Sequence, residues 1–146
     1  ETGTRHSASV VAVDIARDIA ILRTDLQRQP ATLRPDDPLI GEHACAIGNS
    51  FGLGIGISCG VVSAVHRSDV GFNAVEDFVQ TDAAINPGGS GGALVDAEGR
   101  LIGMIDGIFP KEADIDAGVN FAVSVPLLIE AVKAQRVFHA EIPALR

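Results

Sequence analysis

The sequence contains no tryptophan and no tyrosine, and six phenylalanines are its only aromatic side chains. It therefore lacks the row of aromatic faces on which single-stranded nucleic acid stacks. Basic residues are scarce: eleven Lys and Arg stand against nineteen Asp and Glu, a formal charge of −8. A chain of that sign repels phosphate backbones and anionic lipid, which argues against nucleic acid and membrane surfaces as partners. Two cysteines, Cys45 and Cys59, are too few for a disulfide scaffold. No apolar run reaches the roughly 18–20 residues of a spanning helix, so no membrane-spanning segment is expected. No stretch has the order of a secretory leader, which leaves a cytosolic chain or one already processed. Glu1-Thr2-Gly3 stands apart from the pattern that follows and is set aside.

What is present suits one folded domain of 146 residues, 47% of them hydrophobic. Sixteen Gly and seven Pro exceed the usual combined share of about 12%, which favours tight turns and short strands. Ser7 to Val13 and Ile19 to Leu22 read as two strands around the charged turn Asp14 to Asp18. Gln27 to Pro38, with Pro30, Pro35 and Pro38, reads as an irregular connector. His43 to Ile47, Ile55 to Val65, Val75 to Thr81, Ala93 to Asp96, Leu101 to Asp106 and Val119 to Val125 read as further strands. Ala97 to Arg100 is a hairpin turn, and Lys111 to Ala117 is a polar loop. Pro126 opens a helix over Leu127 to Gln135, with Leu128, Val132 and Gln135 on one face and Leu127 and Ala131 on another. About eight short strands and one terminal helix make the chain all-β, of barrel or sandwich type.

The segment richest in chemistry is "QTDAAINPGGSGGALVDAEGRLIG", Gln80 to Gly103. Ser90 stands between Gly88-Gly89 and Gly91-Gly92, where backbone N–H groups can converge without Cβ clashes. A hydroxyl beside converging donors suits a nucleophile with an oxyanion hole. Composition alone also fits a plain Gly/Ser turn. The wider context decides for the first reading. "TDAAINPGGSGGALVD" resembles the nucleophile segment of the HtrA/Deg family of trypsin-like serine proteases. "AIGNSFGLGIGISCGVVSAVHR" resembles the family's glycine-rich hairpin, "GRLIGMI" and "GVNFAVSVPLL" continue the likeness downstream, and "ASVVAVDIARDIAILRTD" resembles the stretch that holds its catalytic Asp. The likeness runs from about Ala8 to Val132.

The resemblance implies an all-β, chymotrypsin-like double β-barrel with one C-terminal helix. Residues 4–29 would be an incomplete first barrel, 30–40 a connector, and 41–138 the second barrel with the helix. It implies that Ser90 is the nucleophile and that Asp18 orients a catalytic histidine, although a lone turn Asp is otherwise an ordinary surface carboxylate. The oxyanion hole would be formed at Gly88, Gly89 and Ser90, by the N–H groups of the first and last. Ala84, Ile85, Asn86 and Pro87 would wall an uncharged specificity pocket for a small or medium apolar residue. Asp106, Gly107 and Ile108 would be the strand edge that pairs with substrate backbone. The resemblance further implies hydrolysis of unfolded or damaged polypeptides in protein quality control, a homo-oligomer, no cofactor, and an extracytoplasmic (periplasmic or secreted) or organellar setting.

Three departures from the family pattern stand out. Gly89 replaces its Asn and Ser50 its Pro, and no PDZ domain is expected after the helix within these 146 residues. The family's histidine lies upstream of the Asp, and none of His6, His43, His66 and His139 has that context. The base and the first strands of the first barrel are therefore expected to be missing, leaving the edges of residues 7–22 open to another strand. The alternative is a non-catalytic peptide-binding or scaffold module of the same fold. Gly52-x-Gly54-x-Gly56 is followed by strand-like residues, not the helix of a dinucleotide site. His43 and Cys45 share a strand face with Cys59 opposite. That permits a metal site, but strand alternation supplies such groupings without one, and no metal is expected. The two cysteines are open to either a cross-strand disulfide or two buried thiols.

Overall fold

The computed structural model describes residues 5–108 and 118–138. Six strands form a closed barrel: β3 (His43–Gly48), β4 (Gly56–Arg67), β5 (Phe78–Thr81), β8 (Asn120–Ser124), β7 (Leu101–Ile108) and β6 (Ala93–Asp96), in that order, with β6 returning to β3. Every pairing is antiparallel. Two further strands, β1 (Ala8–Asp14) and β2 (Ile19–Thr24), form a separate two-stranded sheet. Helix α1 (Val125–Phe138) follows β8 directly.

Strand alternation sorts the barrel into two apolar clusters. Ala44, Ala46, Val62, Val79, Leu94, Ile105 and Ala122 point inward and fill the barrel with small and branched side chains. Phe78, Phe121 and Val123 point outward from the same strands and meet Leu127 and Ala131 of α1 and Ile19 of β2. This double coverage explains why all five residues of β8 are buried. Phe72 joins Phe78 and Phe121, the three rings lying 5.6–6.0 Å apart in edge-on or tilted contact. Ile19 is thus the plug by which the first sheet docks, whereas Val10, Val13 and Leu22 stay exposed.

Several expected boundaries move. The helix begins at Val125 rather than Leu127, because the Ser124 hydroxyl accepts the Leu127 N–H at 3.2 Å and caps it. The expected last strand accordingly stops at Ser124. The strand expected from Val75 begins only at Phe78. Residues before it are gathered around Glu76, whose carboxylate accepts the N–H groups of Val70, Gly71, Phe72 and Asn73. Burial opposes ionisation of Glu76, but those donors outweigh it and hold its pKa below the usual carboxylate range. The expected polar loop Lys111 to Ala117 lies outside the described residues. The cysteines form a disulfide across register partners of β3 and β4. They are not buried thiols: Cys59 is exposed and Cys45 partly so, since the inward positions belong to Ala44 and Ala46.

The connector is anchored rather than loose. Leu101 N–H donates to the Thr32 carbonyl at 2.8 Å, and Arg34 N–H to the Leu101 carbonyl at 2.9 Å. The Arg34 guanidinium, 9% exposed, reaches Asp36 at 3.0 Å, Glu42, and the fully buried Asp96 at 3.4 Å. Burial works against the Asp96 charge, but backbone N–H groups and the Arg100 and Arg34 side chains keep its pKa below the ordinary value. Replacing Arg34 removes the cation among three acids, one of them buried, and breaking a buried pair costs about 3 kcal/mol or more. We expect Arg34→Met to lower unfolding free energy by about 3 kcal/mol in urea denaturation; a change of a few tenths would mean that the connector contributes nothing to the barrel.

Candidate active site

Ser90 is exposed on a loop whose main chain is stitched on both sides. Gly89 N–H donates to the Asn86 carbonyl and Gly92 N–H to the Gly89 carbonyl, both at 2.9 Å. Gly91 N–H reaches the Ile105 carbonyl at 2.7 Å, and Ile105 N–H the Gly92 carbonyl at 2.8 Å, which fastens the loop to β7. Among the described residues, the N–H groups of Gly88 and Ser90 donate to no such partner and stay available, while that of Gly89 is engaged.

The opposite side of the loop rests on the segment after β3. A Cβ on Gly48 would lie 3.1 Å from the Gly89 Cα, and one on Gly88 only 2.7 Å from the Asn49 carbonyl oxygen. Gly88 also has φ +93°, which a side chain rarely adopts. Phe51 N–H closes the junction by donating to the Pro87 carbonyl at 2.7 Å. Asn49 turns the chain by accepting the Gly54 N–H at 2.7 Å through its side chain. Gly48 and Asn49 thus belong to the site, although only the "GNSFGLG" loop pattern marked them in the sequence.

Beside the loop lies a cavity of about 230 Å³ with no charged residue in its lining. Ala84, Ile85 and Asn86 form one wall, Gly56, Ile57 and Ser58 of β4 another, and Ile105 contributes from β7. Pro87, expected in that wall, is engaged with Phe51 instead. Gly89 and Ser50 both line the cavity, and the Ser50 hydroxyl is 3.9 Å from where a Gly89 Cβ would sit. The two departures from the family pattern are therefore neighbours. Strand β7 pairs with β6 only as far as Met104, whereas Gly107 and Ile108 remain paired with β8 alone.

Asp18 is exposed, has φ +53°, and immediately precedes the buried Ile19. Its charge acts on Asp106, as does that of Glu76. Asn73 Nδ2 donates to Asp106 Oδ2 at 2.8 Å, tying the Glu76-centred loop to β7. Burial pushes the Asp106 carboxyl up; the Asn73 hydrogen bond pulls it back, and the two neighbouring carboxylates push it further up. Neither Asn73 nor Glu76 carries a sequence signal, because their role depends on how residues 70–76 curl.

The described histidines are engaged elsewhere. His6 Nδ1 is 3.2 Å from Asp25, and His43 Nδ1 is 3.9 Å from Cys45 Sγ. His66 bridges Asp77 at 3.0 Å and Asp37 at 2.9 Å, and those carboxylates raise its pKa. None hydrogen-bonds to Ser90 or Asp18, and His139 lies outside the described residues.

Comparison with known proteins agrees with this fold. Residues 1–104 match the trypsin-like peptidase domain family. A probable periplasmic serine endoprotease DegP-like of Buchnera aphidicola subsp. Baizongia pistaciae is 37% identical over 129 residues, covering 86% of this chain and 28% of that protein. Protease Do-like 1, chloroplastic, of Arabidopsis thaliana is 40% identical over 131 residues, covering 84% of this chain and 29% of its own length. The solved structure of the HtrA-type protease AlgW with tripeptide superimposes with a TM-score of 0.82 at 44% identity, covering 92% of this chain and 45% of that one. The fold is that of the trypsin-like peptidases. Within that class, this chain belongs to the HtrA family of serine proteases. It spans less than a third of the length of the curated relatives it matches.

The Asp106 geometry gives a sign-specific test. A carboxyl whose folded pKa exceeds its unfolded one binds its proton more tightly in the native chain, so stability falls as pH rises from the unfolded value, about 3.9, through the folded one. Asp106→Asn keeps an acceptor for Asn73 and removes the charge. It is expected to raise the urea midpoint at pH 7 and to give no gain below about pH 4. Equal midpoints at pH 7 would contradict the upward push on Asp106 from its burial and from the charges of Asp18 and Glu76.

Proposed function

We propose that this chain is the nucleophile-bearing part of a serine endopeptidase that cleaves unfolded or damaged polypeptides. The observation that carries the reading is the Ser90 loop: an exposed hydroxyl beside two free N–H groups and an uncharged cavity. In this reaction a histidine takes the Ser90 proton as Oγ attacks the scissile carbonyl carbon. The carbonyl oxygen becomes an oxyanion that accepts the Gly88 and Ser90 N–H groups. Collapse of the tetrahedral intermediate expels the amine, which receives the proton from the imidazolium, and water then releases the acyl group by the reverse steps. Asp18 holds the imidazole in orientation. Extended substrate lies along Asp106–Ile108, and the cavity takes a small or medium apolar side chain before the cleaved bond. No cofactor enters these steps.

The histidine is proposed to come from outside the described residues, since His6, His43 and His66 are bonded elsewhere. That same observation favours the second reading, a peptide-binding or scaffold module whose cleft binds extended chain without cutting it. AlgW, an HtrA-type protease solved with a tripeptide, supports a peptide ligand under either reading. The likeness to proteins named periplasmic and chloroplastic supports a setting outside the cytoplasm or within an organelle. Assembly as a homo-oligomer is part of the proposal.

Two measurements separate the readings. In a polypeptide that carries both this chain and a histidine base, Ser90→Ala should lower casein hydrolysis by on the order of 10⁶ with unchanged far-ultraviolet dichroism; retained hydrolysis would exclude Ser90 as nucleophile. The 146-residue chain alone should label negligibly with a fluorophosphonate at neutral pH, because a base must lie within roughly 2.6–3.2 Å of the proton it removes. Rapid stoichiometric labelling would show that one of its own histidines, or a second copy's, reaches Ser90.

A further inference from the structure

The β3–β4 hairpin carries a second group of reactive side chains, on the face turned away from the barrel interior. Ala44 and Ala46 point inward, so His43 and Cys45, two residues apart on β3, share the outer face. Cys59 is the register partner of Cys45, with Cα atoms 4.1 Å apart. His43 Nδ1 stands 3.9 Å from Cys45 Sγ, and the ligand atoms of all three residues lie within 4.8 Å of one another. His43 and Cys59 are exposed, so both reductant and ion can reach them.

In the disulfide form the two sulfurs are bonded to each other, and His43 alone is no site. The backbone, however, holds the three residues together without help from that bond. Six consecutive register pairs, from His43↔Val61 to Gly48↔Gly56, fix the strands. Reduction leaves two thiols and an imidazole on one face of a rigid ribbon. A tetrahedral zinc ion bonds thiolate at about 2.3 Å and imidazole at about 2.0–2.1 Å, which places two thiolate sulfurs about 3.8 Å apart. Cysteines facing each other across one register pair reach that spacing by side-chain rotation alone.

We propose that reduction of Cys45–Cys59 opens a metal site in which two thiolates and the His43 imidazole bind one zinc-class cation, with water in the fourth position. The reductant is a dithiol. Its two sulfurs become a disulfide, two electrons pass to the protein, and Cys45 and Cys59 each gain a proton. The cation then displaces those two protons, and the neutral His43 ring binds through its free nitrogen lone pair. The disulfide and the metal are mutually exclusive states of one site, so redox poise decides whether the hairpin binds an ion. The site uses no residue of the Ser90 chemistry, and its failure or success leaves that reading untouched.

The test uses the whole chain, reduced with dithiothreitol, desalted under argon and titrated with zinc(II), with cobalt(II) as the spectroscopic probe. The reduced chain is expected to bind one zinc per molecule and to show a thiolate-to-cobalt charge-transfer band. The oxidised chain is expected to bind none. His43→Ala should weaken zinc binding at least about tenfold, the lower end of the loss caused by removing even an outer partner of a metal ligand. Far-ultraviolet dichroism checks that the reduced barrel stays folded. A reduced chain that binds no more zinc than the oxidised one, an affinity unchanged in His43→Ala, or loss of the barrel on reduction would each overturn the proposal and leave the disulfide as a purely structural link.

Discussion

The site depends on one close approach between two main chains. The loop that carries Ser90 and the segment that follows β3 touch backbone to backbone, with no room for a side chain at Gly88 and little at Gly48. Because the contact is between peptide groups, its geometry is set by the barrel and not by rotamers. β3 fixes Gly48 and Asn49 through its ladder with β4 and β6, and β7 fixes Gly91 and Gly92 through Ile105. The N–H groups left free at Gly88 and Ser90 are thereby aimed by six strands rather than by the loop itself. Preorganisation of this kind is what electrostatic catalysis requires, since donors that must reorient lose their advantage.

The same barrel serves a second purpose through its outward residues. Phe78, Phe121 and Val123 hold the helix, the Phe72 loop and Ile19 of the first sheet in one apolar cluster. Asp18 is adjacent to Ile19, so the burial of one apolar side chain positions an exposed acid. Residues 70–76 add a link in the other direction. Glu76 gathers four N–H groups, and Asn73 at the end of that curl reaches Asp106 on β7. Asp18, Asp106 and Glu76 thus share an electrostatic neighbourhood although they come from a turn, a strand and a loop.

The acidic excess of the chain is partly structural. Asp96, Glu42 and Asp36 surround Arg34, and Asp37 and Asp77 surround His66. In each case a basic side chain closes a contact between segments distant in sequence: the connector with the β6–β7 turn, and β4 with the residues leading into β5. Asp77 carries this further by accepting the Ser124 hydroxyl that caps the helix. These links make the connector and the helix start parts of the barrel rather than appendages to it.

The all-β class and the strand order along the chain were legible in the sequence because each rests on local chemistry, whereas Ser90 was read as a nucleophile only through the family resemblance. Short apolar runs on either side of the turn Ala97 to Arg100 mark strands at Ala93–Asp96 and Leu101–Asp106, and glycines on both sides of Ser90 mark a loop. The limits of the elements were less legible where a distant residue intervened: Glu76 pulls its neighbours off the β5 ladder, and Ser124 starts the helix early. Arg34 looked like one residue of an irregular connector, since its partners lie in other segments. The cysteine pairing was open in the sequence, and register decided it by placing Cys45 opposite Cys59 on the outer face. Whether a histidine serves Ser90 was framed by motif context alone, while the structure gave His6, His43 and His66 their actual partners. Sequence fixes what each segment can form, because propensity and side-chain chemistry act over a few residues. Tertiary structure decides which groups meet, because barrel closure brings together residues that no local pattern connects.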